Sequence, residues 1–454
     1  MTFHPPRPIP HARPLSAAQF VWTMARNPLA IWSEAAFTEP VIRADWLGTP
    51  TIIVSDLAAI RHVMVENAQN YAMQPLRQRV LRPILRDGLL TAEGELWRRT
   101  RRSLAPVFAP RNTAGLAEAM RERSMRFAAG LEARAGEAVD MAEQMTLLTF
   151  DILQATLFSG DIVGDPQEFA AATSALLRTM GRVDPMDILD APGFVPRLTR
   201  ILGARSLAYF RRLITATIEK REALLAADPA RAPRDLLTLL LEAEGLSRSE
   251  VEDNIITFIG AGHETTARAL GWTLYLLSQA PDELAMIEAE LDAHDFASPL
   301  AEWPDRLPYA RAAFEEAMRL YPPAPSLNRA AIGPDRVGTV DIPAGATVLV
   351  LPWIVHRHEK LWDHPNDFMP SCFLPENRDR IDRYQYLPFG IGPRVCIGQY
   401  FAMQEGVIAL AALLRNLRFD YVGRSAPMPV QTITVQPEGG LPMRISRRPP
   451  RRSP

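Results

Sequence analysis

Cysteine and lysine are almost missing from this chain of 454 residues. Two cysteines, Cys372 and Cys396, are too few for a disulfide framework, so a reduced compartment and a thiol with a specific task are the expectation. Two lysines, Lys220 and Lys360, leave 48 of the 50 basic residues to arginine. An excess of either charge is missing as well: the formal net charge is −2 and the pI about 6.5. Such a balance supplies no overall field for nucleic acid or an anionic membrane. No stretch reaches the roughly 18 unbroken apolar residues of a membrane span, and the start "MTFHPPRPIPHARPLSAAQF" lacks the basic-then-apolar order of a secretory signal. Together these absences lead to the expectation of a soluble, cytoplasmic protein without a transmembrane anchor and without a nucleic-acid partner.

What is present suffices for a large core, with 47% hydrophobic and 22% charged residues. The proline-rich residues 1–20 and the basic residues 446–454 read as loosely held tails. That leaves 21–445 as one domain, mainly α with small β-sheets. The stretch "VIRADWLGTPTIIVSD" reads as a β-hairpin turning at Gly48, Thr49 and Pro50. From about Leu57 to about Ala280 the pattern is helical, and strands return in "VGTVDIPAGATVLVLPW" and "VQTITVQPEGGLPMRI". Ser247 with Glu250 three residues on forms a capping-box start and Pro281 a stop, which predicts a helix over 248–280. Apolar residues such as Phe258 and Leu270 flank its centre, yet that centre reads "AGHETT", residues 261–266. Polar groups interrupting an otherwise buried helix mark a candidate for function.

The second anomaly is "LPFGIGPRVCIGQY", residues 387–400, with Cys396 framed by Gly390, Gly392 and Gly398 ahead of a strong helix pattern. A thiol that must act as a thiolate is stabilised by helix N-terminal N–H groups and nearby cations, here Arg394. Glycines let the backbone turn tightly and aim N–H groups at the sulfur.

The segment "PFGIGPRVCIG" resembles the haem-binding loop of the cytochrome P450 family, the haem-thiolate monooxygenases. "WRRTRR", "AGHETT", "EEAMRLYPP" and "PEGGLPMRI" resemble other stretches of that family in order, covering about residues 40 to 445. The resemblance implies the cytochrome P450 fold, with haem between a long central helix and the cysteine-bearing loop. Cys396 would be the axial ligand to the iron of haem b (Fe-protoporphyrin IX), with Phe389 packed near the sulfur. Trp97, Arg101, Arg329 and Arg394 match positions that hold haem propionates. Glu264 and Thr265 match proton-relay positions on the oxygen-activating helix, where Ala261, four residues before Thr265, leaves room for a ligand. Phe258, Ala261 and Leu327 would line a substrate pocket. Glu316 and Arg319 would form a buried structural pair. His263 has no required role and reads as a side chain satisfied locally.

One departure stands out. The family usually completes the Glu316–Arg319 network with an arginine where this chain has Cys372, in "PSCF", leaving Arg378, Arg380 or Arg383 to compensate. The resemblance also implies O2, an apolar organic substrate such as a fatty acid, terpenoid or aromatic, and a separate ferredoxin or flavodoxin with an NAD(P)H-dependent reductase. Arg98, Arg99, Arg102 and Arg111 would offer that donor a basic patch. The candidate lid spans 71–90 and 174–202, with Arg77, Arg79 or Arg82 placed to meet a carboxylate or solvent. Two rival readings are a peroxide-driven haem-thiolate peroxygenase, and a zinc protein using His356, His358, His364 and Cys372.

Overall fold

The computed structural model describes residues 3–46, 48–163, 195 and 197–449, with 198–202 described by their backbone alone. The second half of the candidate lid therefore lies largely outside the described residues. The chain groups into two compact units: Met1–Ala72, Met120–Thr149 and Glu264–Pro454 in the first, Met73–Ala119 and Phe150–His263 in the second.

The first unit is built on a five-stranded sheet in the order Val41–Trp46, Thr49–Val54, Thr347–Val350, Leu327–Ala331 and Tyr71–Met73. Its outer hairpin turns at Gly48, while Thr49 and Pro50, read with it as the turn, already pair in the strand with Trp46 and Asp45; Val41 pairs with Val54 at the far end. Strand Thr49–Val54 then runs parallel to Thr347–Val350, so both are covered and read as apolar runs. Ile52, Val54, Ile60, Val348 and Val350 form its core, and Leu387 and Ile391 of the cysteine-bearing segment are buried in the same cluster. Burial of these two apolar side chains anchors an otherwise irregular loop.

A second sheet orders Ala138–Asp140, Pro442–Arg447 and Leu417–Tyr421. Its last strand runs to Arg447, and Arg448 is tied to the Glu288 carbonyl and the Asp292 carboxylate. The basic tail thus begins later than the 446 boundary read from charge and proline content.

The start of the chain departs further from a loose tail. Phe3 accepts a main-chain bond from Phe368 at 3.0 Å, His11 donates its amide to Trp32, and Tyr321 donates its hydroxyl to the Pro6 carbonyl at 2.8 Å. Proline content misled the sequence reading because proline denies a segment its own helix without denying it a docking surface.

The second unit contains the helix Gly94–Leu104 and the N-terminal half of the central helix Arg248–Gln279. Ser247 and Glu250 exchange both bonds of the capping box, and Pro281 opens the following helix at its first position. The turn at Gly88 lies so close to the central helix that a Cβ there would meet the Thr257 hydroxyl at 2.1 Å. Arg211 bridges Asp253 at 2.9 Å and the Ile84 carbonyl at 2.7 Å, fixing the same face.

Candidate active site

Cys396 is exposed. Its N–H donates to the Phe389 carbonyl at 2.8 Å, closing the loop on itself ahead of the helix Gln399–Leu414. Gly392 makes that closure possible: its φ is +78°, and a Cβ would sit 1.9 Å from the Met64 carbonyl oxygen. Gly390 also has a positive φ, whereas Gly398, the N-cap, has a φ of −91° that any residue adopts. Phe389 and Arg394 are half-buried on this loop. Leu327, placed by sequence in a substrate pocket, packs where a side chain at Gly390 would begin, 3.7 Å away. Arg329 stands two residues along the same strand, half-buried, with one guanidinium nitrogen donating to the Asn328 carbonyl at 3.0 Å.

Along the central helix, Ala261 is exposed and Thr265 half-buried on one face, among neighbours that are buried on the others. Glu264 accepts from the Thr434 hydroxyl at 2.8 Å and lies 3.6 Å from Arg268 one turn on. It is therefore half-buried and oriented by the C-terminal hairpin rather than loose in solvent. His263 is buried, donates Nδ1–H to the Ile259 carbonyl at 2.8 Å and meets Phe150 edge-on, as a locally satisfied side chain should. In the second unit, Trp97 and Arg101 are half-buried and share a face of Gly94–Leu104. Phe258 is buried edge-to-face against Phe108, ring centroids 4.8 Å apart, which is core packing.

The expected basic patch is thinner than its sequence. Arg98 pairs with Glu95 at 2.8 Å, and Arg99 is claimed by Glu250 and the Gly245 carbonyl. Arg102 and Arg111 remain exposed without a recorded carboxylate partner. Arg82, from the candidate lid, pairs with Asp87 at the surface.

Glu316 and Arg319 form a fully buried bidentate pair, both contacts 2.6 Å. Arg319 also donates to the carbonyls of His356, Pro365 and Asp367 at 2.9, 2.9 and 2.8 Å, and Glu316 accepts the Met369 amide at 2.8 Å. Burial lifts the Glu316 carboxyl and the Arg319 charge opposes that lift. Cys372 brings no cation here; it packs half-buried beside Trp362 and Phe373, and burial raises its thiol. Of the three candidate substitutes, Arg378 is the one that reaches inward. It bonds the neighbouring Glu315 at 2.9 Å and lies over Phe373 and Tyr386.

The zinc reading is overturned by the same geometry. His356 spends Nδ1 on the Arg319 carbonyl and accepts the Leu387 amide on Nε2 at 2.7 Å. His358 reaches the Glu39 carbonyl and accepts the Lys360 amide, and His364 pairs with Asp367. Three histidines adjacent in sequence thus face three different partners.

Sequence reasoning missed what His356 does. It links the Arg319 carbonyl to Leu387, the residue that opens the cysteine loop, and burial pushes its pKa down to about 3, so it is neutral. It also missed Glu405, fully buried on the helix after the cysteine, with its carboxyl pushed up to about 8 beside the Thr266 hydroxyl. The sequence signal available for both was polarity inside an apolar run.

A family profile described as Cytochrome P450 matches residues 6–442. Cyclooctatin synthase of Streptomyces melanosporofaciens is 30% identical over 92% of this chain and 92% of its own. Carotene epsilon-monooxygenase of Arabidopsis thaliana is 28% identical over 87% of this chain and 78% of its own. A crystallised cytochrome P450 haem domain superposes with a TM-score of 0.79 at 25% identity, covering 99% of both chains. No helix among the described residues is long and apolar enough to cross a membrane. By profile, relatives and fold together, the chain belongs to the cytochrome P450 family of haem-dependent monooxygenases.

Proposed function

We propose that this enzyme inserts one oxygen atom from O2 into an apolar substrate, with Cys396 as the thiolate ligand of haem iron. The carrying observation is the exposed Cys396 thiol on a glycine-turned loop whose apolar residues are locked into a core. The residues of the first unit fit a haem: an exposed cysteine on a glycine-turned loop, with arginines half-buried at 329 and 394. When bound, haem supplies the iron at which O2 is reduced by two electrons and split with two protons, the thiolate favouring O–O cleavage.

The chain's own residues hold and guide. Arg329 and Arg394, both of the first unit, would hold haem propionates by charge-assisted bonds. Backbone N–H groups of the loop temper the sulfur's charge. Thr265 holds a proton donor in place through its hydroxyl, and Glu264 passes protons to it from its partly exposed carboxylate, oriented by Thr434. Of the fatty-acid, terpenoid and aromatic classes, an isoprenoid hydrocarbon is the preferred substrate class, supported by the carotene monooxygenase among the relatives. Electrons come from a separate ferredoxin or flavodoxin and its NAD(P)H-dependent reductase, meeting Arg102 and Arg111.

Thr265→Ala tests the relay. With a reductase, ferredoxin and an apolar substrate that shifts the haem spin state, the variant is expected to keep its spectrum while NAD(P)H consumption is diverted to hydrogen peroxide by about tenfold. Retained coupling in the variant contradicts the assignment. Turnover on peroxide alone at the full rate, indifferent to Thr265, favours a peroxygenase.

A further inference from the structure

The segment 365–369 is gripped from two sides within the first unit. One side is the buried pair: Arg319 holds the carbonyls of Pro365 and Asp367, and Glu316 the amide of Met369. On the other lies the start of the chain. The Phe3 carbonyl takes the Phe368 amide at 3.0 Å, and His4 Nδ1 meets the Asp367 carboxylate at 2.5 Å.

The same short stretch is fixed independently. Pro5 is buried, and the Pro6 carbonyl accepts the hydroxyl of Tyr321, whose ring stacks on Trp272 with centroids 3.8 Å apart. The Phe3 ring meets Tyr275 edge-on at 6.1 Å. Arg7 is half-buried near Glu359, and burial lowers its pKa against the pull of that carboxylate. A polyproline-like stretch suits the task, because its backbone loses little entropy on docking and leaves its carbonyls open to accept.

Residues 367–369 are also where the missing arginine matters. With Cys372 in the family's arginine position and Arg378 turned to Glu315, the segment 370–383 supplies no recorded bond to Glu316. From the pair, the path continues through the Arg319–His356 exchange to Nε2 of His356 and the Leu387 amide, and so into the loop that carries Cys396.

We infer that residues 3–6 are a positioning strap that takes over the tie lost at Cys372, clamping 367–369 against Glu316–Arg319 and thereby holding the cysteine loop in register for haem. The inference rests on the assignment of Cys396 as haem ligand. It makes the N-terminal segment part of the machinery for retaining the cofactor, and Phe3, His4 and Tyr321 its contact residues.

The test uses the full-length holoprotein, a variant lacking residues 2–10, the double variant Phe3→Ala/His4→Ala, and Tyr321→Phe. Arg418→Ala, which breaks the bidentate pair with Glu288 on the second sheet, serves as a control that loses an ion pair away from the strap. Two readouts are taken below the unfolding temperature of every variant: the rate of haem transfer to excess apomyoglobin, and the share of the reduced carbon monoxide complex that keeps the thiolate-type band. Loss of two hydrogen bonds and an ion pair is expected to speed haem transfer by about tenfold or more in the deletion. The double variant and Tyr321→Phe should move the same way by less, with part of the band passing to the non-thiolate form. Arg418→Ala should leave both readouts at wild-type values. Should the deletion not fold, the two milder variants decide alone. Wild-type rates and bands in all strap variants overturn the inference, as does an equal change in Arg418→Ala. A wild-type protein with no thiolate-type band overturns the assignment of Cys396 instead.

Discussion

Glu405 and His356 are both fully buried, and they tie stability to pH in opposite directions. The Glu405 carboxyl, pushed up to about 8 by burial, keeps its proton in the fold while the unfolded chain releases it near roughly 4.3. Its contribution is therefore complete below that lower value and is lost as pH rises towards 8. Glu405→Gln is expected to gain on the wild type by on the order of 1 to 3 kcal/mol between pH 5 and pH 8 in chemical unfolding. An equal difference at both pH values contradicts the buried proton. His356, pushed down to about 3, contributes stability that is present above the unfolded value of roughly 6.5 and is lost as pH falls towards 3. His356→Gln should accordingly lose less stability than the wild type when the pH drops from about 6.5 to about 5, by on the order of 1 kcal/mol. A parallel loss in the two proteins means that the histidine is not held neutral. Neither role was legible from the sequence. The partners of His356 are the carbonyl of residue 319 and the amide of residue 387, and main-chain atoms leave no mark in a pattern of side chains. The loop of Cys396, by contrast, left a mark in the sequence, because Gly392 must be glycine for a steric reason.

At the scale of elements, that reason can be tested. Gly392 combines a φ of +78° with a Cβ position 1.9 Å from the Met64 oxygen. Gly392→Ala must therefore strain the loop or push back the helical turn His62–Glu66. A loss of about 1 to 3 kcal/mol in unfolding, with weakened haem retention, is expected; Gly398→Ala, at an ordinary backbone angle, should cost well under half of that. Equal costs at the two sites contradict the steric account. The central helix was read almost to the residue, since Ser247, Glu250 and Pro281 act through local bonds. It ends at Gln279, one residue before the predicted end. Strand Ala138–Asp140 was missed within a region read as helical: three residues pairing with the distant strand Pro442–Arg447 carry no periodicity of their own. The arginine patch is narrowed to Arg102 and Arg111 partly for a related reason: Glu250, which pairs with Arg99, lies far along the chain, whereas Glu95 takes Arg98 from three residues away.

At the scale of the molecule, the apolar fraction allowed a large core and the hydrophobic pattern framed a mainly helical protein with small sheets, and the family likeness spans residues 6–442. The docking of the first residues could not be read from composition, because it depends on which distant surface they meet. A cofactor that binds only the folded chain adds stability by mass action. The apoprotein should unfold several degrees below the holoprotein, and Cys396→Ala should lose most of that difference while its apo form unfolds like the wild-type apo form. The account turns most directly on the iron's sulfur ligand. Purified protein is reduced under carbon monoxide and its visible absorption recorded beside that of Cys396→His. The red-shifted band of a thiolate-ligated haem in the wild type, replaced by the band of an imidazole-ligated haem in the variant, is the predicted result. An imidazole-type band in the wild type, or a colourless protein after reconstitution with haem, contradicts it.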